Sequence, residues 1–329
     1  MNTPTILIAD IGGTNARFAL ADSSTQQFTQ TQTLQASEFE RLTDAINTYL
    51  NSQDISDIQG ICLAVAGPIK NEAVVFTNSH WQVNCADLRT QYGIEFAQLL
   101  NDWEAIAHSL SHLASDDLSE IGGAWENLAK EDYTLGALGP GSGLGTSGLV
   151  HRSGHSSPII AEGGHAGFAP ENRLQVEILD YLHRKFDDRV SRERLLSGPG
   201  IVNIYEALCE INKQDNAGIG ASDIANQAFN HNDQVCQQTL EVFFEILGQV
   251  AGDIALTLGA YQGMFIGGGI CQRYPEQLAR SNFRRAFENK GRYKYLMKDI
   301  PTRLITHNNP GLLGASVYAK ATLSTAHSS

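Results

Sequence analysis

The chain has 329 residues, a formal net charge of −13, a hydrophobic content of 42% and 31 glycines. That composition is globular α/β, long enough for about two domains, and the acidic surplus argues against nucleic acid or an anionic membrane as main partner. No apolar run reaches the ~18 residues needed to span a bilayer. No Lys or Arg precedes Arg17, and ILIA is too short for a signal-peptide core. Cys62, Cys85, Cys209, Cys236 and Cys271 are scattered without a CxxC pair. This suits a reducing cytosol and supplies neither a disulfide framework nor a metal site, so a cytoplasmic location is expected.

Residues 5–10 (TILIAD) read as a buried strand, and residues 16–22 (ARFALAD) as its antiparallel neighbour. The glycine turn between them is followed by strand periodicity, not by a helix. A helix is expected over 37–51, with Ser37 and Glu40 at capping-box spacing and Phe39, Leu42, Ile46, Tyr49 and Leu50 on one face. GICLAVAG (60–67) and FAQLL (96–100) are further buried strands, the second running directly into the helix NDWEAIAHSL. After a polar stretch near 113–132, residues 133–152 repeat the pattern of strand, glycine turn and strand. Helices dominate from about 171 to 262, followed by GMFIGGGI (263–270), the strand TRLITH (302–307) and a last helix opened by Pro310. Strands alternating with helices predict a largely parallel sheet with a hairpin at its start. The recurrence predicts two related α/β domains, each presenting a glycine hairpin to a shared cleft.

Several constellations can carry chemistry. The N–H groups of Gly12, Gly13 and Thr14 are placed to approach phosphate oxygens, and Asp10 to orient Mg²⁺ through water; a plain hairpin turn is the alternative. No GxxxxGK[ST] occurs anywhere. GPGSGLG (139–145) offers a second phosphate turn, and IGGGI (266–270) leaves room for a nucleoside or, equally, packs a helix closely on a strand. Asn101 and Asp102 stand between strand and helix, where Asp serves either as a proton acceptor or as an N-cap. Glu162 and His165 flank a short glycine bend suited to a polyol, or simply form a turn. Glu193 reads as a ligand or as a solvated helix position.

DIGGTNAR, LLNDWEAIA, GPGSGLG, EGGHAGFAP, ERLLSGPG, FIGGGI and NNPGLLGA together resemble, in order and spacing, the motifs of the bacterial glucokinase family. The resemblance runs from Ile6 to about Ala319. It implies a two-domain actin-like ATPase (ribonuclease H-like) fold with a cleft between a small domain (1–112 plus 303–322) and a large one (113–302), leaving 323–329 as a disordered tail. It implies phosphorylation of D-glucose by ATP with Mg²⁺, in a homodimer. Residue by residue, Ala9, Asp10, Ile11, Gly12, Gly13 and Thr14 correspond to the first ATP segment, with Asp10 the metal-associated acid. Gly139, Gly141, Ser142 and Gly143 correspond to the second phosphate turn, and Gly267, Gly268 and Gly269 to the adenosine-side turn. Asp102 corresponds to the catalytic base, and Asn101, Glu162, His165 and Glu193 to the sugar-binding set. Residues 77–81 resemble a loop near the sugar. Ala9 replaces a common glycine and Ser142 a usual threonine; neither change removes a needed group. Competing readings are a kinase for another hexose such as N-acetylglucosamine or mannose, since the related ROK kinases share ExGH-type sugar motifs, a sugar-responsive regulator on the same fold, and an actin-like filament or chaperone ATPase.

Overall fold

The computed structural model describes residues 5–22, 27–76, 80–123, 132–187 and 189–326. The chain divides into two compact units, the first comprising 1–113, 156–160 and 307–329 and the second 114–155 and 161–306.

The first unit is built on a five-stranded sheet of β1 (Thr5–Ile11), β2 (Asn15–Asp22), β3 (Phe28–Gln35), β4 (Gly60–Val65) and β7 (Phe96–Asn101), in the order β3-β2-β1-β4-β7. A two-stranded ribbon, β5 (Ala73–Val75) with β6 (Gln82–Asn84), stands apart from it. β1 is antiparallel to β2 but parallel to β4, which is parallel to β7. The period-two alternation of β1 explains why helices cover both faces. Leu7, Ala9 and Ile11 pack with residues of the helix Leu42–Ser52, whereas Ile6 and Ile8 pack with Leu312, Ala315 and Ala319 of the helix Pro310–Ala326.

The sheet of the second unit has six strands, β8 (Leu118–Gly122), β9 (Tyr133–Pro140), β10 (Leu144–Arg152), β11 (His155–Ala161), β12 (Met264–Ile266) and β13 (Thr302–Ile305), ordered β11-β10-β9-β12-β13-β8, although residues 156–160 of its edge strand β11 are grouped with the first unit. As in the first unit, the opening hairpin is antiparallel and its first strand, β9, pairs in parallel with a later one, β12. The principal helices are Arg173–Phe186, Gly198–Ile211, Ala221–Asn230 and Gln234–Leu258. Their apolar faces form one core with Leu138, Leu144, Met264, Ile266 and Leu304 of the sheet.

Four expectations change. The first helix begins at Leu42, preceded by a 3-10 turn at Ala36–Glu38, because Phe39 is held extended. Its carbonyl accepts the Trp81 Nε1–H at 3.0 Å, and Asp44 rather than Glu40 closes a capping box, onto Arg41. β13 pairs with β12 and β8, so the return to the first unit falls at His307, not at 303. The polar stretch after 113 contains an edge strand, β8; its residues 124–131 lie outside the described residues. Finally, the last helix continues to Ala326, through residues expected to be a tail.

Candidate active site

In the first unit the β1–β2 turn is closed by Gly12 N–H donating to Asn15 O at 2.9 Å. Gly12 is therefore occupied, and Gly13 and Thr14 are the N–H groups that the turn leaves for a ligand. The chain itself does not require glycine at 12: its φ is not positive, and a Cβ there would make only an ordinary 3.6 Å contact with Asn15 O. A glycine that its own fold does not demand fits a backbone approached from outside. Asp10, the penultimate residue of β1, stands opposite Arg17, whose guanidinium lies 3.7 Å away. Burial raises the Asp10 carboxyl above the usual carboxylate range, and Arg17 opposes that shift. The carboxylate also rests at the start of the helix Pro310–Ala326, where a Cβ on Gly311 would approach Asp10 Oδ2 at 3.1 Å. Neither Arg17 nor Gly311 was singled out from the sequence; the hairpin register and the NPG opening of the last helix were the available signals.

Ile11, Val65 and Asn101 share one row across β1, β4 and β7. Asp10 and Asp102 therefore occupy the same carboxyl edge of parallel strands, two strand spacings or about 10 Å apart along the sheet, the edge at which open α/β sheets bind ligands. The capping question at this edge has a definite answer. Asn101 is the N-cap: its Oδ1 accepts from Trp103 N at 2.9 Å and Glu104 N at 3.3 Å, while Glu104 Oε2 accepts from Asn101 N at 3.1 Å. Asp102 is the first helical residue, its Oδ1 accepting from Trp103 N at 2.9 Å. The helix does not depend on Asp102 for its cap.

In the second unit, chain segments far apart in sequence meet at the β9–β10 turn. Gly141 N–H donates to Gly143 O and its own carbonyl accepts from Gly198 N, each at 2.8 Å, which leaves Ser142 and Gly143 as the outward donors. Glu193 is not a solvated helix position. It sits on the 3-10 turn Arg192–Arg194, and its Oε2 accepts from Leu144 N at 2.9 Å. A side chain at 143 would collide with that carboxylate, since a Cβ would lie 2.5 Å from Glu193 Oε2. The turn after Glu162 is tied to the same hairpin through Gly163 N–H, which donates to Thr146 Oγ1 at 2.8 Å. Ala166 O accepts from Arg192 N at 2.9 Å and His165 O from Arg189 Nη2 at 2.9 Å, joining the Glu162–His165 and Glu193 segments directly. The side chains of Glu162 and His165 are exposed. The third turn packs onto the second. Gly268, at φ +82°, approaches Pro140 O too closely for a side chain, and Gly139 is packed equally tightly against Gly267. A Cβ on Gly141 or Gly269 would instead point into open space. Of the 77–81 loop, Thr77, Asn78 and Ser79 lie outside the described residues, while Trp81 is buried and His80 Nε2 lies 2.9 Å from Phe39 O.

The donor set for a divalent cation is sparse: among the described residues no three His, Cys, Asp or Glu side chains cluster as a cage. One carboxylate, Asp10, beside a phosphate-type turn matches Mg²⁺, which keeps most of its water and is carried by the substrate phosphates. No helix among the described residues is long and apolar enough to cross a membrane.

Two α/β units that each carry a glycine hairpin on a partly parallel sheet have the build of the actin-like ATPase fold, the fold of the sugar kinases that the chain resembles. Residues 7–322 match the glucokinase family profile. A glucokinase of Hahella chejuensis is 37% identical over 310 residues, covering 94% of this chain and 95% of that protein. The crystal structure of a glucokinase from an Antarctic psychrotroph superposes with a TM-score of 0.87 at 34% identity, covering 96% of this chain and 99% of that one. A ROK family glucokinase from Streptomyces griseus, solved with glucose and AMPPNP, shares the fold alone, with a TM-score of 0.62 at 16% identity over 96% of this chain and 99% of that one. The chain belongs to the glucokinase family.

Proposed function

We propose that the protein transfers the γ-phosphoryl group of ATP to the 6-hydroxyl of D-glucose, giving glucose 6-phosphate and ADP. The observation that carries the residue assignment is the division of labour at the end of β7, where Asn101 and Glu104 cap the helix and Asp102 is not needed for that role. Asp102 takes the proton of the 6-hydroxyl as its oxygen attacks the γ-phosphorus and the bond to the β-phosphate oxygen breaks. Gly13, Thr14, Ser142 and Gly143 donate backbone N–H groups to phosphate oxygens as charge spreads over them. Mg²⁺, held beside Asp10 through water, would neutralise phosphate charge when bound. Ala9 and Ile11 keep the Asp10 strand buried in its sheet, while Gly269 leaves backbone bare for the adenosine on a turn that Gly267 and Gly268 pack against Gly139 and Pro140.

Glu162 and Glu193 accept hydrogen bonds from sugar hydroxyls, and His165 and the Asn101 amide donate or accept as the ring requires. The protein works as a cytoplasmic homodimer. A coupled ADP-release assay over glucose, mannose, fructose and N-acetylglucosamine tests the substrate. Glucose should give the highest kcat/KM, and a preference for the N-acetylated sugar would overturn the assignment.

A further inference from the structure

A chain of alternating charges lies behind the two sugar-binding segments of the second unit. Arg192, adjacent to Glu193, contacts Asp253 at 3.7 Å. Asp253 also contacts Lys290 Nζ at 2.8 Å, and the same Nζ contacts Glu171 at 2.7 Å. Glu171 ends the segment that begins with Glu162 and His165. Lys290 is the buried centre of this row, its side chain only 7% exposed. A lysine so buried is costly unless paired, and here it has a carboxylate on each side.

The fold makes room for it. Lys290 crosses the helix Gln234–Leu258 at Gly252, where a Cβ would lie 2.7 Å from Lys290 Cε. One turn earlier on that helix, Gln249 donates its side-chain amide to Ala169 O, so positions 249 and 253 grip both sugar-binding segments. Gly167 and Ser191 complete the junction as an isolated antiparallel bridge.

We infer that Lys290 is a positioning residue, setting the place of Glu193 through Asp253 and Arg192 and that of the Glu162–His165 turn through Glu171. This rests on the reading of Glu193 as a sugar ligand. Without the ammonium, Asp253 and Glu171 repel each other across the junction and the two segments part slightly, which loosens sugar binding more than nucleotide binding. A shift well under an ångström in such a set is felt in affinity because the hydrogen bonds are directional.

Lys290→Met keeps the stem over Gly252 and removes the charge. Glucose binding, measured by calorimetry without ATP, should weaken by about 3- to 30-fold, while the KM for ATP changes by less than about twofold. Lys290→Arg should recover part of the loss. In a Glu193→Gln background the Lys290→Met effect should shrink, since both act through one carboxylate. Normal glucose affinity in Lys290→Met beside a weakened Glu193→Gln would overturn the inference and leave the sugar site standing. Unchanged affinity in Glu193→Gln would sink the ligand reading, and the inference with it. Equal losses for glucose and ATP, additive with Glu193→Gln, would show a purely structural lysine and also overturn it. Should Lys290→Met not fold, Glu171→Gln, at the more exposed end of the row, decides by the same glucose-against-ATP comparison.

Discussion

At the scale of single residues, Asp102 separates cleanly from its neighbour. Because Asn101 supplies the cap, Asp102→Asn and even Asp102→Ala should leave the helix start intact. Loss of a general base commonly costs ~10²–10⁴-fold, so kcat should fall by that order while glucose binding by calorimetry weakens much less. A variant that retains more than about a tenth of the wild-type kcat would remove the base role from Asp102. Asn101→Ala should behave oppositely in stability, lowering it by about 1 kcal/mol in urea unfolding through loss of the cap. Glu162→Gln replaces an exposed acceptor by a half-mismatched amide, and losing one charged hydrogen bond of ~1.5–3 kcal/mol should raise the glucose KM roughly ten- to a hundredfold. An unchanged KM would take Glu162 out of the site.

At the scale of elements, the second hairpin and the Glu193 turn act as one piece. Gly143→Ala would place a methyl 2.5 Å from Glu193 Oε2 and displace the carboxylate from Leu144 N. The expected result is a raised glucose KM, whereas Gly141→Ala, whose Cβ meets nothing of the protein, should affect the ATP KM first. The helix Asp102–Ser109 carries a different liability. Burial depresses His108 to about 4, with His112 adding to the shift, and its ring packs edge-on to Tyr318 at 5.2 Å. Between pH 6.5 and about 4 the unfolded chain takes up a proton that folded His108 refuses, so stability falls as pH drops through that window. The full loss is about 2–4 kcal/mol. Urea midpoints at pH 7 and pH 5 should differ less in His108→Gln than in the parent, and an undiminished difference would exonerate His108.

At the scale of the whole molecule, the homodimer proposed above predicts a sedimenting species of twice the 35.7 kDa chain mass. A single species at the chain mass across micromolar concentrations would reject it. How much of this molecule could be read from its residues depends on the range of the interaction concerned. Buried strands such as 5–10 and 60–65, the two glycine hairpins and the long helices announce themselves by local periodicity, which backbone geometry imposes within a few residues. The motif series likewise identified the family, which the match over residues 7–322 bears out. The start of the first helix was not legible, since the local Ser37–Glu40 signal loses to a hydrogen bond from Trp81, 42 positions away. The parallel pairing of β13 with β12, and hence the boundary at His307, depends on strands 36 or more residues apart. That Asn101 rather than Asp102 caps its helix turned on one backbone rotation, for which both residue types are equally suited. Glu193 looked like a surface residue until Leu144 N–H met it from 49 positions away, and the row from Arg192 to Glu171 exists only because Gly252 lets Lys290 cross a helix. The sequence by itself determined the family and most of the strands and helices that carry its motifs. Tertiary structure alone decided which groups support which, because a hydrogen bond or ion pair needs two partners within about 3–4 Å and no local pattern encodes the second one.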